Sequence, residues 1–355
     1  MSGRASVTVD LHKVVENTRA VVGALGGRSV VGVTKVTCGS PEVARAMLVG
    51  GVAGIADSRL ENLARMREAD IETEFWLLRA PVPSLAEETV RLADVSLESE
   101  LEAVRALDEA AGRLGVRHAI VAMVDLGDLR EGMMPAGLPD FVDAVEALPN
   151  IGLRGIGVSL TCYGGVVPDA ANLGELVALA QTAEARTGRR LLVSGGMSSS
   201  LDTLVAGALP ERVDSLRIGE SILLGVSTVT REPILGLHTD AIIARAPVIE
   251  VARKPSVPRG TIAQDAFGGV PTFADRGERL RAICAIGHQD VVPTGIVPLD
   301  RRVEILGASS DHLVLDVDAL SEPPRVGDEI AFVPGYSATL RLFTSPYVEK
   351  RYLGG

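Results

Sequence analysis

The run SVVGVTK (Ser29–Lys35) is β-branched, almost unbroken in apolar residues, and closed by a lysine. A strand with one wet face alternates polar and apolar residues. A continuous run is buried on both faces, as in a parallel sheet covered by helices. Similar short runs follow at Val52–Ala56, Glu74–Arg79, Asp94–Leu97, His118–Leu126, Gly152–Ser159, Leu191–Ser194 and Val213–Ile218. Helical apolar spacing lies between them, at Pro41–Val49, Arg59–Ala69, Ser84–Arg91, Ser99–Leu114, Pro139–Leu148, Asn172–Thr187 and Ser199–Ala208. One more amphipathic stretch, Leu11–Leu25, precedes the first run, with Asp10 as its expected N-cap. Eight β-rich runs alternating with helices most simply close into an α/β fold of the (β/α)8 TIM-barrel type. The competing open, doubly wound sheet wants a glycine-rich fingerprint after its first strand, and Lys35-Val36-Thr37-Cys38-Gly39 stands there instead.

Beyond Arg231 the punctuation changes. Pro247, Pro255, Pro258, Gly260, Gly268, Gly269 and Pro271 break the chain into short apolar runs at Ala241–Ala244, Ile283–Ile286, Arg302–Leu306, Leu313–Val317 and Glu329–Val333. The expected organisation is therefore a barrel over residues 1–232 and a C-terminal all-β domain over 233–355. The coil Pro255–Phe273 is long enough to be a functional loop or an interface arm.

Composition narrows the function classes. The chain has 355 residues with 35 Lys+Arg and 46 Asp+Glu, a net charge of -11 that disfavours a nucleic-acid or anionic-membrane partner. Aromatic residues are 3%, too few for base stacking. Cys38, Cys162 and Cys284 are odd in number and widely spaced, so neither a disulfide framework nor a metal site is expected. With no apolar leader at the N-terminus and no uninterrupted apolar span, the expectation is a cytoplasmic protein. Only four of the 35 basic residues are lysines: Lys13, Lys35, Lys254 and Lys350. In a chain that uses arginine for surface charge, a lysine closing a buried strand invites a chemical reading.

Barrel sites form at the C-terminal ends of the strands. Lys35 stands at the first, where desolvation lowers an amine's pKa and suits it to Schiff-base chemistry; the plainer alternative is a rim lysine snorkelling to water. The turn SGGMSSS (Ser194–Ser200), with Ser194 and Ser198, follows the seventh barrel strand, and Arg217-Ile218-Gly219-Glu220 follows the eighth. Backbone N–H groups and hydroxyls in such turns suit a phosphate. A phosphate pocket facing a Schiff-base lysine is the requirement for pyridoxal 5'-phosphate.

These features resemble the alanine racemase fold (fold type III pyridoxal-phosphate enzymes), and within it the ornithine racemase-like branch. The carrying segments are VTKVTCGSPEVARAMLVGG (33–51), DSRLENL (57–63), VDLGDLREG (124–132), GIGVSLTCYGGVVP (155–168), SGGMSSSL (194–201), LRIGESILLG (216–225) and AIGHQDV (285–291). The resemblance spans essentially the whole chain. It implies an isomerase, an amino-acid racemase that interconverts L- and D-forms by two bases, acting on an ornithine- or lysine-like or other non-alanine substrate. On that likeness Lys35 holds the cofactor and serves as one base. Ser194, Ser198, Gly219 and Glu220 hold the cofactor with Arg217, whose guanidinium faces the pyridine nitrogen. Arg130 would pair with the substrate carboxylate, and an ion pair with Asp125 or Asp128 is its structural alternative. His288, in Ile286–Asp290, takes the position of the family's tyrosine on a partner subunit's β-domain, so a homodimer with shared active sites is implied. Asp311 sits where partner residues line the entrance and would attract a distal ammonium; a turn aspartate is the alternative.

Three positions depart from the family pattern. Gly39 replaces the tyrosine that alanine racemases carry for phosphate, as in the ornithine-type branch. Met197 stands where asparagine is expected, and Ser159, a substrate-side position, where asparagine or histidine is usual. The other readings on this scaffold are a decarboxylase or aldolase, or a non-catalytic pyridoxal-phosphate carrier. Carriers of the fold usually lack the β-domain that about 120 residues here would form.

Overall fold

The computed structural model describes residues 3–354. These divide into two compact units: Leu11–Thr239, and the residues up to Asp10 together with those from Asp240 onward. The division lies after Thr239, not at 232, because residues 226–238 fold back onto the barrel. Ser227 N–H donates to Glu232 C=O at 2.8 Å and Ile234 N–H to Gly225 C=O at 3.2 Å. Asn17, buried in the first helix (Leu11–Ala24), donates through Nδ2 to Ile222 C=O at 2.9 Å and accepts His238 N–H at 2.7 Å.

In the β unit, β1 (Ser6–Asp10) is the residue run just before that first helix. In the barrel unit, β2 (Ser29–Val33), β3 (Gly54–Asp57), β4 (Phe75–Leu77), β5 (Val95–Glu98), β6 (His118–Val124), β7 (Ile151–Val158), β8 (Leu192–Met197) and β9 (Ser215–Ile218) form a closed parallel barrel. Closure comes from β2 pairing with β9, with Val31 opposite Arg217 and Gly32 opposite Ile218. Val31, Ala56, Trp76, Val95, Leu97, Val121 and Met123 form one buried cluster. Residues from five successive strands can meet this way only in the barrel lumen, and their period of two sends Ser96, Glu98 and His118 to the outer wall beneath the helices.

The β unit continues with β10 (Ile242–Pro255), β11 (Glu278–Cys284), β12 (Ile296–Pro298), β13 (Glu304–Ala308), β14 (Leu313–Asp316), β15 (Glu329–Pro334) and β16 (Glu349–Leu353), with a helix at Tyr336–Thr344. Its sheet runs β12-β15-β10-β11-β14-β13, and β1 lies between β10 and β16. The β10 strand is far longer than the run Ala241–Ala244 predicts. It changes partner at Pro247, pairing β15 before it and β11 after it. A proline without an N–H is tolerated at that exchange.

The outer wall holds a buried titrating pair. Ser96 Oγ donates to Glu98 Oε1 at 2.7 Å and lies 3.0 Å from His118 Nε2, while Glu98 Oε2 has no partner. Burial pushes the Glu98 carboxyl up from 4.5 to about 8, and burial pushes His118 down from 6.5 to about 4, so both are neutral at pH 7. The signs oppose. An unfolded glutamate ionises near 4.5 while the folded one waits until about 8, so Glu98 lowers stability as pH rises through that window. An unfolded histidine takes a proton below 6.5 and the folded one resists to about 4, so His118 lowers stability as pH falls. Between pH 6.5 and 8 only the glutamate slope remains. Replacing Glu98 with Gln should flatten that decline and raise stability at pH 8 by ~2–4 kcal/mol. Denaturation midpoints of both proteins at pH 6.5, 7.25 and 8 check this.

Candidate active site

Immediately after β2 the chain turns through a single 3-10 turn, Lys35–Thr37. Thr34 Oγ1 donates to Asp57 Oδ2 at 2.9 Å and Asn62 Nδ2 to Asp57 Oδ1 at 2.9 Å. Asp57 also accepts the Ser58 and Arg59 amides at 2.7 and 3.1 Å. Burial still raises its carboxyl above the usual range, against the pull of those hydrogen bonds. Gly39, at φ +63, lies against Asn62, and a Cβ there would fall 2.6 Å from the Asn62 Cβ. The missing tyrosine thus has a steric reason. Lys35 is half-buried above this support, and its charge acts on both Glu220 and Cys162.

Two turns converge beside it. Ser221 N–H donates to Ser198 Oγ at 3.3 Å, tying the turn after β9 to the turn after β8. Ser200 Oγ closes the second turn on Gly195 C=O at 2.7 Å, and the Ser199 hydroxyl between them is buried with no partner. Gly219 meets β2 so closely that a Cβ would lie 2.5 Å from Val33 C=O, which brings these amides against the strand that ends in Lys35. The Glu220 carboxylate points elsewhere, to Arg231. Burial raises its pKa, and Arg231 and Lys35 oppose the rise.

Arg217 crosses the mouth at 3% exposure. Its Nη1 donates to Ser194 Oγ; its Nη2 donates to Val158 C=O at 2.7 Å and to Ser159 Oγ at 3.3 Å. Burial lowers its pKa to about 10, with Glu131 the largest charge resisting, so it stays protonated at neutral pH. Ser194 and Ser159 are consequently partners of one buried cation.

The remaining wall is two loops. Asp128 is buried, and its carboxylate accepts the amides of Tyr163 at 2.9 Å, Cys162 at 3.2 Å and Val166 at 3.2 Å. Its carbonyl takes Gly164 N–H at 3.0 Å. These bonds hold the carboxyl below the ordinary aspartate range despite the opposing effect of burial. Asp125 accepts the Gly127 and Leu129 amides at 2.8 and 3.2 Å. Neither aspartate pairs with Arg130. Its ion pair is with Glu131, at 2.9 Å and partly exposed. Leu129 (φ 53) and Thr161 (φ 60) both sit in the left-handed region, one residue before Arg130 and Cys162. Cys162 Sγ lies 3.5 Å from Met197 Sδ. Burial raises its thiol pKa, opposed by Arg130 and Lys35. Tyr163 is largely exposed.

The other two candidates are in the β unit. His288 N–H donates to Ser309 C=O at 2.9 Å and Gln289 N–H to Ser310 C=O at 3.0 Å, so the His288 loop is laced to the turn that carries Asp311. Asp311 accepts from Ser310 Oγ at 2.9 Å. Arg341 donates to the His288 carbonyl. The long coil supplies Phe267, whose ring centroid is 4.2 Å from that of His288. Sequence reading missed Phe267 and Glu131. The coil 255–273 carries two phenylalanines, Phe267 and Phe273, and nothing in the sequence singles out the first; nothing local marks Glu131 either.

The donor set at the barrel mouth fits pyridoxal phosphate: one primary amine on a rigid turn, hydroxyls and amides on two converging turns, and the buried Ser199 hydroxyl left unpartnered there. Among the described residues no His/Cys/Asp/Glu group could hold a metal ion, and no helix is long and apolar enough to cross a membrane.

Residues 9–227 match the model of the alanine racemase N-terminal domain. Over 353 residues the chain is 42% identical to an ornithine racemase of Acetoanaerobium sticklandii, covering 98% of this chain and 99% of that one. It is 39% identical over 350 residues to a lysine racemase of Thermotoga maritima, covering 97% of each. Among solved structures, the alanine racemase of Streptomyces lavendulae aligns with TM-score 0.79 at 22% identity, over 100% of this chain and 98% of that one. A D-threonine aldolase of Filomicrobium marinum aligns with TM-score 0.71 at 18% identity, over 95% and 88%.

The clamp at Asp128 has a measurable consequence. Asp128→Ala leaves the Cys162, Tyr163 and Val166 amides without their acceptor in a strained loop. Hydrogen exchange at those three positions should accelerate by at least about tenfold, with the barrel strands unchanged.

Proposed function

The chain belongs to the alanine racemase family, and on that premise we propose that it is a pyridoxal-phosphate-dependent amino-acid racemase, an isomerase, whose substrate carries a distal ammonium. The observation that carries the activity is the near full-length likeness to an ornithine racemase and a lysine racemase, at 42% and 39% identity. Those two relatives also supply the substrate class.

Pyridoxal phosphate, when bound, draws electrons away from the Cα–H bond and makes its proton removable. Lys35 would hold the cofactor covalently and, once displaced by substrate, take or return a proton on one face of Cα. Lysine is required here because arginine stays charged and cannot act as a nucleophile. The Ser198 hydroxyl and the amides of Gly219 and Glu220 would take the phosphate, and the Ser199 hydroxyl lies alongside with its hydrogen-bonding capacity unused. Arg217 would face the pyridine nitrogen, with Ser194 and Ser159 holding its guanidinium in place. A cation that keeps its proton at neutral pH does not protonate that nitrogen. Placed there, Arg217 would favour simple proton exchange at Cα over deeper rearrangement. Arg130 would orient the α-carboxylate, and no barrel aspartate competes for it.

Inversion needs a second acid/base on the opposite face of Cα. His288 would supply it from the β unit of a second copy, making the working enzyme a homodimer with shared sites. Asp311, on the turn laced to the His288 loop, would line the entrance. We place the protein in the cytoplasm, where cysteines such as Cys38, Cys162 and Cys284 are kept as thiols.

The test is isotope wash-in at Cα in heavy water with L- and D-ornithine and lysine. Exchange accompanied by inversion is expected. Exchange with strict retention, CO2 release or aldehyde formation would sink the racemase reading. Lys35→Ala should abolish both turnover and the visible absorption of the bound cofactor. His288→Gln should slow inversion by about 10²–10⁴ while leaving that absorption in place.

A further inference from the structure

Substrates with a distal ammonium need a carboxylate, and the barrel mouth contains several. Most are already committed. Asp57 accepts from Thr34, Asn62 and two amides. Asp125 accepts the Gly127 and Leu129 amides, and Asp128 holds the loop 162–166. Asp202 accepts Ser227 Oγ through both oxygens, at 2.8 and 2.9 Å, and Glu220 is paired with Arg231. Moving any of the aspartates to a ligand would undo a turn, and Glu220 is turned to Arg231.

Glu131 is different. Its ion pair with Arg130 spans 2.9 Å between side chains 35% and 28% exposed. Two residues on, Met133 N–H donates to Met123 C=O and Met133 C=O accepts Asp125 N–H, both at 2.9 Å, so the stretch that carries Glu131 is pinned at the C-terminal end of β6, and its charge acts on buried Arg217 and on Cys162. Exposed ion pairs are weak and exchange readily for better partners.

We propose that Glu131 sets the substrate class by receiving the distal ammonium, the Arg130–Glu131 pair opening so that Arg130 takes the α-carboxylate and Glu131 the ammonium. The inference rests on the racemase reading above and deepens it. One internal ion pair is exchanged for two with the ligand, and charge stays balanced. A neutral side chain such as norvaline, which is ornithine without its terminal amine, would break the pair and return only half of it. Selectivity therefore comes from the cost of leaving Glu131 unpaired as well as from the new contact. The left-handed Leu129 and the hydrogen bonds of Asp128 to residues 162–166 fix the backbone just before both side chains, so the side chains can exchange partners without the loop moving.

The experiment measures ornithine and norvaline dissociation constants with the cofactor-loaded enzyme, from the change in its visible absorption, alongside kcat/KM. Glu131→Gln should weaken ornithine about tenfold to a hundredfold relative to norvaline. The ratio is the readout, because freeing Arg130 would help both ligands equally. Glu131→Asp should restore part of the preference, and an unchanged cofactor absorption shows that the site is intact. An ornithine-to-norvaline ratio unaltered in Glu131→Gln overturns the assignment. So does a ratio that collapses in Asp311→Asn alone, which would put the receptor in the β unit. Failure of the unaltered enzyme to invert any diamino acid overturns the functional reading itself, and the assignment with it.

Discussion

Everything at the barrel mouth depends on the pairing of β2 with β9. That one register, Val31 opposite Arg217, closes the parallel sheet. It also sets Lys35 next to the turn that carries Gly219 and Glu220. The approach is tight enough that Gly219 admits no side chain against Val33. Without closure the lysine and the anion-binding turns would sit on opposite edges of an open sheet. A parallel barrel points every strand's C-terminal end the same way, so chemistry collects on one face without any residue being near another in sequence.

Arg217 sets the electrostatics of that face. A guanidinium at 3% exposure is costly to bury, and three acceptors from β7, β8 and the loop after β7 make it tolerable. With its hydroxyl partners turned toward it, the cation is fixed in position. The negative charges around it are then sorted by what they hold. Asp57, Asp125 and Asp128 brace backbone amides, whereas Glu131 pairs with the Arg130 side chain. This separation gives a rigid rim with one adjustable pair.

Most of the barrel is legible in the sequence because strands buried on both faces advertise themselves as continuous apolar runs, and each of the eight lies within a few residues of its predicted place. The β unit is harder to read. Its first strand, Ser6–Asp10, pairs with β10 and β16 at the far end of the chain, so no local pattern could assign it. The helix Tyr336–Thr344 lies in a region whose punctuation reads as all β. Lys35 stands out in the sequence as the residue type that the chain otherwise avoids. Arg130 shows why a residue's partner is less legible than the residue. Both aspartates within reach by sequence turn inward to amides, and the neighbour Glu131 takes the ion pair instead. Spacing reveals which groups are close. It does not reveal which of them the backbone has already claimed.

The turn below Lys35 shows what replaced the tyrosine of the alanine-type pattern. A phenol at position 39 would have to pass through Asn62, which is held on Asp57, which in turn anchors Thr34. These contacts form one chain of buried hydrogen bonds, and they end at the residue preceding the lysine. The backbone that carries Lys35 is locked from beneath. On the proposed reading the phosphate would rest on the two turns after β8 and β9. Those turns are cross-linked by the Ser221-to-Ser198 hydrogen bond and so act as one cradle. On the proposed reading, a fixed lysine and an anion cradle confined to the turns after β8 and β9 both go with the glycine at position 39.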